Sequence, residues 1–370
     1  MLRVLIVTPR SPLGLGGVEH HVSETASRIA AMGAHVEVLC ADPGGHRHAE
    51  QPRDGVMIRS VRAWPAGSDW CLAPGMWSAI AREEWDVIHV QSYHTFVPPL
   101  AMLRALTLRI PYCLTFHGGG HSSRWRSGMR SAQLRALRPL LARATRLVAL
   151  ARFEIDVYSP LLRLPRERFV LIPNGTDLAP SITVERAGNG NGTILASIGR
   201  LERYKGHHRV IAALPRVLEQ APDAKLLIVG SGPYEGALRE LTAKLGLEGT
   251  VEFTSVPPDD REGMAALLNR VALVVLMSDF ETHPLVGLEA AAAGCRLLVA
   301  DRAGLSELAE DGLARAIALG SGPRVLGDAM LEELAGPPPT GRPQLTTWDQ
   351  CAEQLLALYR DVARGDGRRR

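Results

Sequence analysis

The chain has 370 residues, enough for two ordinary domains at roughly 150 residues each. With 46% apolar and 22% charged residues, the composition is that of a packed globular protein and excludes wholesale disorder and a disulfide scaffold. The 42 basic and 39 acidic residues leave a net charge of +3, too balanced for a protein that works by neutralising a polyanion, so nucleic acid is not an expected partner.

Cys40, Cys71, Cys113, Cys295 and Cys351 are odd in number, widely spaced and mostly embedded in apolar runs, the pattern of buried free thiols in a reducing compartment. The start MLRVLIVTP reads as a strand and a turn, without the apolar region and cleavage site of a signal peptide. The longest apolar run, residues 271–277, is far short of the ~18 residues a membrane span needs. A cytoplasmic protein is expected.

In chain order, residues 4–7 read as a strand, 12–17 as a turn, and the next segment as a helix with Val18, Val22, Ala26 and Ile29 on one face. Strands follow at 35–39, 86–90, 111–116, 146–150 and 168–172, with an arginine-rich helical stretch at 122–144. Residues 187–193, AGNGNGT, offer nothing to a core, and the interdomain linker is expected over 173–192. The second half predicts strands at 194–198, 225–229, 250–253, 273–276 and 296–300. Pro233 is placed at the first position of a helix bearing Tyr234, Leu238, Leu241 and Leu245 on one face. After the loop 336–342, a last helix carries Trp348, Cys351, Ala352, Leu355, Leu356 and Tyr359 on one stripe, and the tail RGDGRRR is expected to fray. Short apolar runs alternating with helices are the signature of parallel sheets covered on both faces. The fold class is α/β, with two Rossmann-like doubly wound halves.

The segment GRLERYKG, residues 199–206, stands between a strand and a helix, where doubly wound sheets bind ligands. Arg200 and Lys205 bracket a loop able to hold a diphosphate; equally, both cations could cap helix carbonyl ends. Glu281 follows the strand 273–276 and Glu289 lies in the next helix. A carboxylate at a strand's edge accepts sugar hydroxyls and one on the helix accepts both hydroxyls of a ribose, though either could be a solvated surface charge. The helix starting near Leu285 turns free amides toward the same place. In the first half, GLGG (residues 14–17) is not the dinucleotide fingerprint, which needs G-x-G-x-x-G. It is either a tight turn or a point where backbone approaches phosphate. His117 in TFHG sits at the lip of the sheet, as a structural histidine or a catalytic one. The stretch 122–144, with Arg124, Arg126, Arg130, Arg135, Arg138 and Arg143, is a solvated helix face or rests on anionic lipid.

Taken in order, GGVEHHV, TFHG, IPNGTD, GRLERYKG, IVGSGP and the Glu281/Glu289 pair resemble glycosyltransferase family 4, the retaining nucleotide-sugar transferases of the GT-B fold, over almost the whole chain. The resemblance implies an acceptor-side domain at 1–175, completed by a helix at 346–370 that crosses back to it, and a donor-binding domain at 176–345 facing it across a cleft. It implies that Arg200 and Lys205 hold the donor diphosphate, Glu281 the sugar hydroxyls and Glu289 the ribose. Gly16 and Gly17 would face the diphosphate, His117 would line the donor sugar, and Gly199 with the Leu285 and Val286 amides would complete the donor contacts. Thr282, His283 and Pro284 stand where the family commonly has Gly-Phe-Gly; Pro284 has no N–H, which puts the phosphate contact on Leu285 and Val286. Met277 stands where proline is usual, beside Ser278.

The expected reaction moves a hexose-type sugar from a UDP- or GDP-sugar to an acceptor hydroxyl on a lipid-linked, polysaccharide or small-molecule acceptor. No metal and no other cofactor is expected: there is no Asp-x-Asp, and Asp259 and Asp260 look like a helix cap. The alternatives are a GT-B sugar-nucleotide epimerase and a catalytically silent relative acting as a binding subunit. Residues 122–144 are the candidate peripheral contact with the inner face of the membrane.

Overall fold

The computed structural model describes all residues except 15, 43–49, 66–70, 119–123, 178–192, 258–259, 338, 340–342 and 368–370, and only the backbone of 50, 51, 124–131, 366 and 367. The chain divides into two compact units. One comprises Met1–Gly118, Gly128–Gly175 and Thr346–Arg370, the other Gly119–Ser127 and Thr176–Leu345.

The first part of the chain runs β1 (Arg3–Thr8), α1 (Gly17–Ala31), β2 (His35–Asp42), β3 (Glu50–Arg53), β4 (Val56–Arg62), α2 (Met76–Ile80), β5 (Val87–Gln91), α3 (Val97–Leu108), β6 (Tyr112–Thr115), α4 (Arg124–Leu141), β7 (Arg146–Ala149), α5 (Arg152–Leu162) and β8 (Phe169–Leu171). Its sheet has the order β3-β4-β2-β1-β5-β6-β7-β8, parallel throughout except where β3 pairs antiparallel with β4. Buried on both faces, β1 is a run of largely aliphatic residues, while β5 sets His89 and Gln91 among its aliphatic residues. Because β1 pairs β2 on one side and β5 on the other, the winding reverses there and opens a crevice at the strands' carboxyl ends.

The second part runs β9 (Ile194–Ile198), α6 (His207–Leu218), β10 (Lys225–Val229), α7 (Glu235–Lys244), β11 (Val251–Thr254), α8 (Arg261–Arg270), β12 (Leu273–Leu276), α9 (Leu285–Ala292), β13 (Arg296–Ala300), α10 (Gly304–Glu310), β14 (Arg315–Ile317) and α11 (Pro323–Ala335). The order β11-β10-β9-β12-β13-β14 places its reversal between β9 and β12. The last helix, α12 (Trp348–Gly367), packs on α1 in the first unit. All six of its expected stripe residues are buried, and a helix with one apolar stripe is held by burying it. All five cysteines are buried free thiols.

Two expectations need correction. The linker expected over 173–192 begins later than Pro173: Asn174 is buried, Gly175 lies so close to the Thr347–Trp348 backbone that a Cβ there would overlap it, and the chain passes to the second unit after Gly175. The glycine-rich part of that stretch lies outside the described residues, as do Asp259 and the end of the tail. Pro233 does not open α7, which begins at Glu235. The Tyr234 amide donates instead to the Leu201 carbonyl, at 2.9 Å, and this ties the turn to the loop after β9. Asp260 caps α8, accepting the Gly263 amide at 2.7 Å.

Candidate active site

At the reversal between β9 and β12, the loops that follow these two neighbouring strands meet. The first, residues 199–206, is fixed from below by its own backbone: the Gly199 amide donates to Val229 O and the Leu201 amide to Ser231 O, both at 2.9 Å. His207 opens α6 and is buried; its Nδ1 is 2.8 Å from Ser197 Oγ and its Nε2 3.2 Å from Arg200 O. Burial holds this imidazole neutral, pushing its pKa down to about 4. Gly206 has φ +77°, and a Cβ there would fall on the Met277 carbonyl oxygen, so only glycine lets the two loops approach this closely.

That approach brings Lys205 to Glu281. Lys205 Nζ donates to Glu281 Oε1 at 2.6 Å, and Ser278 Oγ donates to the same oxygen at 2.8 Å. Both charged side chains are less than one-fifth exposed. Burial works against the lysine's charge, but the field of Glu281, with Tyr204, outweighs it and holds the ammonium above its ordinary value. Arg200 is half exposed and rests on its own loop, with Nη1 3.2 Å from Glu202 and Nη2 3.2 Å from the Tyr204 hydroxyl. Arg209 clamps the second loop, donating to Met277 O at 2.8 Å and to Asp279 Oδ1 at 2.7 Å. The Gly304 amide donates to the Glu281 carbonyl, so the carboxylate stands on a loop tied at both ends.

Pro284 occupies the N-cap of α9, and the amides of Leu285 and Val286 are in the first turn, which has no intrahelical acceptors. Glu289 is buried one turn further along and accepts from Arg261 at 2.7 Å. The sequence singled out Glu289 but not this partner at the start of α8.

On the first sheet, Gly16 caps α1 and Gly17 begins it; a Cβ on Gly17 would meet nothing within 4 Å. Leu15, in the same loop, is outside the described residues. His117 follows β6 with φ +44°, a left-handed conformation that costs a non-glycine residue roughly 1–2 kcal/mol and is held here from two sides. Its carbonyl is 3.2 Å from His94 Nε2 and its own Nε2 is 2.6 Å from Gln91 Oε1. The next amide, Gly118, donates to buried Glu154 on α5, which also accepts from Leu150. His117 is buried and packs edge-to-face on His21, with ring centres 4.9 Å apart. Desolvation, followed by neighbouring His21, His89 and His94, drives its pKa well below the ordinary histidine value.

The geometry therefore groups Gly199, Arg200, Lys205 and Glu281 at one sheet edge, with α9 and Glu289 on the same unit. Residues 15–180 match Glycosyltransferase Family 4 and residues 182–334 match Glycosyl transferases group 1. A glycogen synthase of Mycobacterium tuberculosis is 30% identical over 338 residues, spanning 84% of this chain and 81% of the relative. The chain belongs to glycosyltransferase family 4.

This glycosyltransferase is also 27% identical over 397 residues to a D-inositol 3-phosphate glycosyltransferase of Jonesia denitrificans, covering 93% of this chain and 91% of that one. Its fold is shared with a sucrose-phosphate synthase from Thermosynechococcus elongatus, at TM-score 0.71 and 18% identity, over 100% and 98% of the two chains. The Anabaena protein HepE, solved with UDP-glucose, superposes at TM-score 0.69 and 18% identity, over 100% and 99% of the two chains. The glycosyltransferase has, among its described residues, no helix long and apolar enough to cross a membrane.

Proposed function

We propose that the chain is a retaining transferase that moves a hexose-type sugar from a UDP- or GDP-sugar to an acceptor hydroxyl without a metal. The observation that carries this reading is the Lys205–Ser278–Glu281 junction, a largely shielded cation paired with a largely shielded carboxylate at the switch point of a doubly wound sheet. Lys205 and Arg200 hold the diphosphate together with the Gly199 backbone and the Leu285 and Val286 amides, Glu281 takes sugar hydroxyls and Glu289 takes the ribose. On the other unit, Gly16 and Gly17 approach the diphosphate and His117 takes a hydroxyl of the donor sugar.

In the reaction, the bond between the anomeric carbon and the phosphate oxygen breaks, and a bond from that carbon to the acceptor oxygen forms on the same face. The acceptor's proton passes to a phosphate oxygen. Charge develops on the leaving diphosphate, where preorganised cations and amides lower the barrier without reorganising. The relatives matched over most of the chain are named as a synthase and a transferase, which favours transfer over epimerisation or a silent binding role. The names of the neighbours solved with UDP and UDP-glucose favour UDP as the first donor nucleotide to try.

A thermal-shift screen of UDP-, GDP- and ADP-sugars tests the donor, since ligand at 100 times its Kd stabilises by ~2.7 kcal/mol. NMR of the product's anomeric configuration with the donor so found tests retention, and turnover after chelation tests metal independence. An inverted product or a chelator-sensitive rate would remove the corresponding part of the proposal.

A further inference from the structure

The first unit contains a buried chain of hydrogen bonds that the transfer reaction, as derived above, does not use. His89 and Gln91 are two apart on β5 and so point to the same face, and both are buried. His89 Nδ1 lies 2.5 Å from the hydroxyl of Tyr359 on α12 and 3.1 Å from Gln91 Nε2; its Nε2 lies 2.8 Å from Thr115 Oγ1. Gln91 Oε1 in turn lies 2.6 Å from His117 Nε2.

With the Gln91 amide turned this way, donor and acceptor rules place the protons along this network. An amide nitrogen only donates, so His89 Nδ1 must be the bare, accepting nitrogen. The Tyr359 hydroxyl, buried and kept protonated, donates to it as well. His89 then carries its proton on Nε2 and gives it to Thr115. With its amino group committed to His89, Gln91 turns its carbonyl oxygen to His117, and an oxygen only accepts. His117 must therefore carry its proton on Nε2, which leaves Nδ1 as a lone pair, and no hydrogen bond to Nδ1 is made among the described residues. Desolvation keeps both rings neutral, so neither can escape the constraint by protonating.

We infer that Gln91 is a positioning residue that fixes the tautomer of His117, oriented in turn by His89 and Tyr359, so that His117 presents Nδ1 as a hydrogen-bond acceptor to a sugar hydroxyl. The inference rests on the proposed contact between His117 and the donor sugar. It adds which way that hydrogen bond runs and makes α12 the remote end of the device. Had Gln91 the opposite orientation, its amino group would face His117, and Nδ1 would carry the proton and reject a hydroxyl hydrogen.

The test reads tautomers directly, by long-range proton–nitrogen NMR on protein labelled with 15N-histidine, His117 and His89 being assigned by the spectra of His117→Asn and His89→Asn. In the unmodified protein both rings are expected with the proton on Nε2. Gln91→Leu removes both partners and should leave His117 as a mixture of tautomers, with kcat lowered about tenfold, the size of one net hydrogen bond, and little change in acceptor KM. Gln91→Glu keeps an oxygen opposite His117; it should restore its Nε2 proton and most of the turnover, while moving the His89 proton to Nδ1. A His117 proton on Nδ1 in the unmodified protein, or equal loss in the leucine and glutamate variants, overturns the inference. A tautomer that shifts as expected in Gln91→Leu with turnover unchanged would keep the device but take His117 out of contact with the sugar, which separates the two failures. Should the leucine variant not fold, the unmodified spectrum and Gln91→Glu still decide.

Discussion

At the carboxyl edge of the second sheet, Lys205–Glu281, Arg209–Asp279 and Arg261–Glu289 form three ion pairs at 2.6–2.7 Å, whereas at the same edge of the first sheet His21, His89 and His117 are buried and neutral. The second edge stores paired charges that are partly exposed, whereas the three histidines of the first are buried and offer dipoles, with the Glu154 carboxylate engaged by the Gly118 and Leu150 amides. The contrast follows the parts of the proposed donor: a diphosphate needs cations, and a sugar ring needs neutral donors and acceptors. A charged edge tolerates partial burial only because each ion has a partner, and a bound anion would have to compete with Glu281 for Lys205. A neutral edge needs no such exchange, but each ring must have its proton on the correct nitrogen.

The sharpest way to break the comparison is at the charged edge. Lys205→Ala removes the cation assigned to the leaving diphosphate and strands Glu281, and loss of one preorganised donor of this kind costs roughly 100- to 1,000-fold in kcat. Nucleotide release from the donor found by thermal shift would measure it; a loss under tenfold would mean that Lys205 serves only to hold Glu281. Next in size is Gly206→Ala. Its positive φ and the Met277 carbonyl leave no place for a methyl group, so a cost of about 2 kcal/mol or more is expected. That corresponds to a Tm lower by roughly 4–8 °C for a unit of this size, read by calorimetry. An unchanged Tm would show that the loops after β9 and β12 can separate freely.

Glu289→Ala sharpens the comparison inside the second unit. If its carboxylate holds the ribose, donor KM should rise about tenfold while kcat is kept, the value of one charged hydrogen bond. A rise matched by Arg261→Ala, which leaves the carboxylate in place, would instead point to the ion pair as a packing element. At the neutral edge the expected signature is in stability. Burial lowers His21 to about 4 and His89 to about 3, and His207 on the other unit to about 4. The unfolded chain takes up these protons near the ordinary value of 6.5, and the folded chain does not. Stability is therefore complete above 6.5 and falls as pH drops toward about 4, steepest where the difference in bound protons is largest. Tm measured against pH should show this slope, shallower in His21→Gln; a slope unaltered by that change would exclude His21 from it.

Much of this architecture could be read from the chain. Strands such as β1, β9 and β12 are buried on both faces and so appear as aliphatic runs. β3 escaped because EQPR, on an antiparallel edge, carries no apolar period, and β14 because three residues set no period at all. In the candidate site, Arg200, Lys205 and Glu281 stood out because charged residues follow directly on strand ends. Ser278 was noticed only as a family position, and Gln91, His89, Tyr359 and Ser197 were not noticed as site residues. Single polar groups inside apolar elements have no spacing signature, and their meaning lies in partners up to 270 positions away.

The smallest effect concerns the arginines of residues 122–144. The side chains of Arg124, Arg126 and Arg130 lie outside the described residues, but Arg138 donates to Leu162 O at 2.6 Å and Arg143 to Pro139 O at 2.9 Å, so these two already cap carbonyls. Leu134 and Leu141 are buried, which leaves the described part of α4 no apolar face of that kind to insert. From the described residues, the expected hold on a membrane is therefore electrostatic, about 1 kcal/mol per basic residue near an anionic surface, and should fade as the Debye length shrinks with salt. Flotation with phosphatidylserine vesicles at low salt should recover a fraction of the protein, and raising the salt should release it. Recovery indifferent to both salt and lipid charge would remove the membrane from the proposal while leaving the two sheet edges as they are.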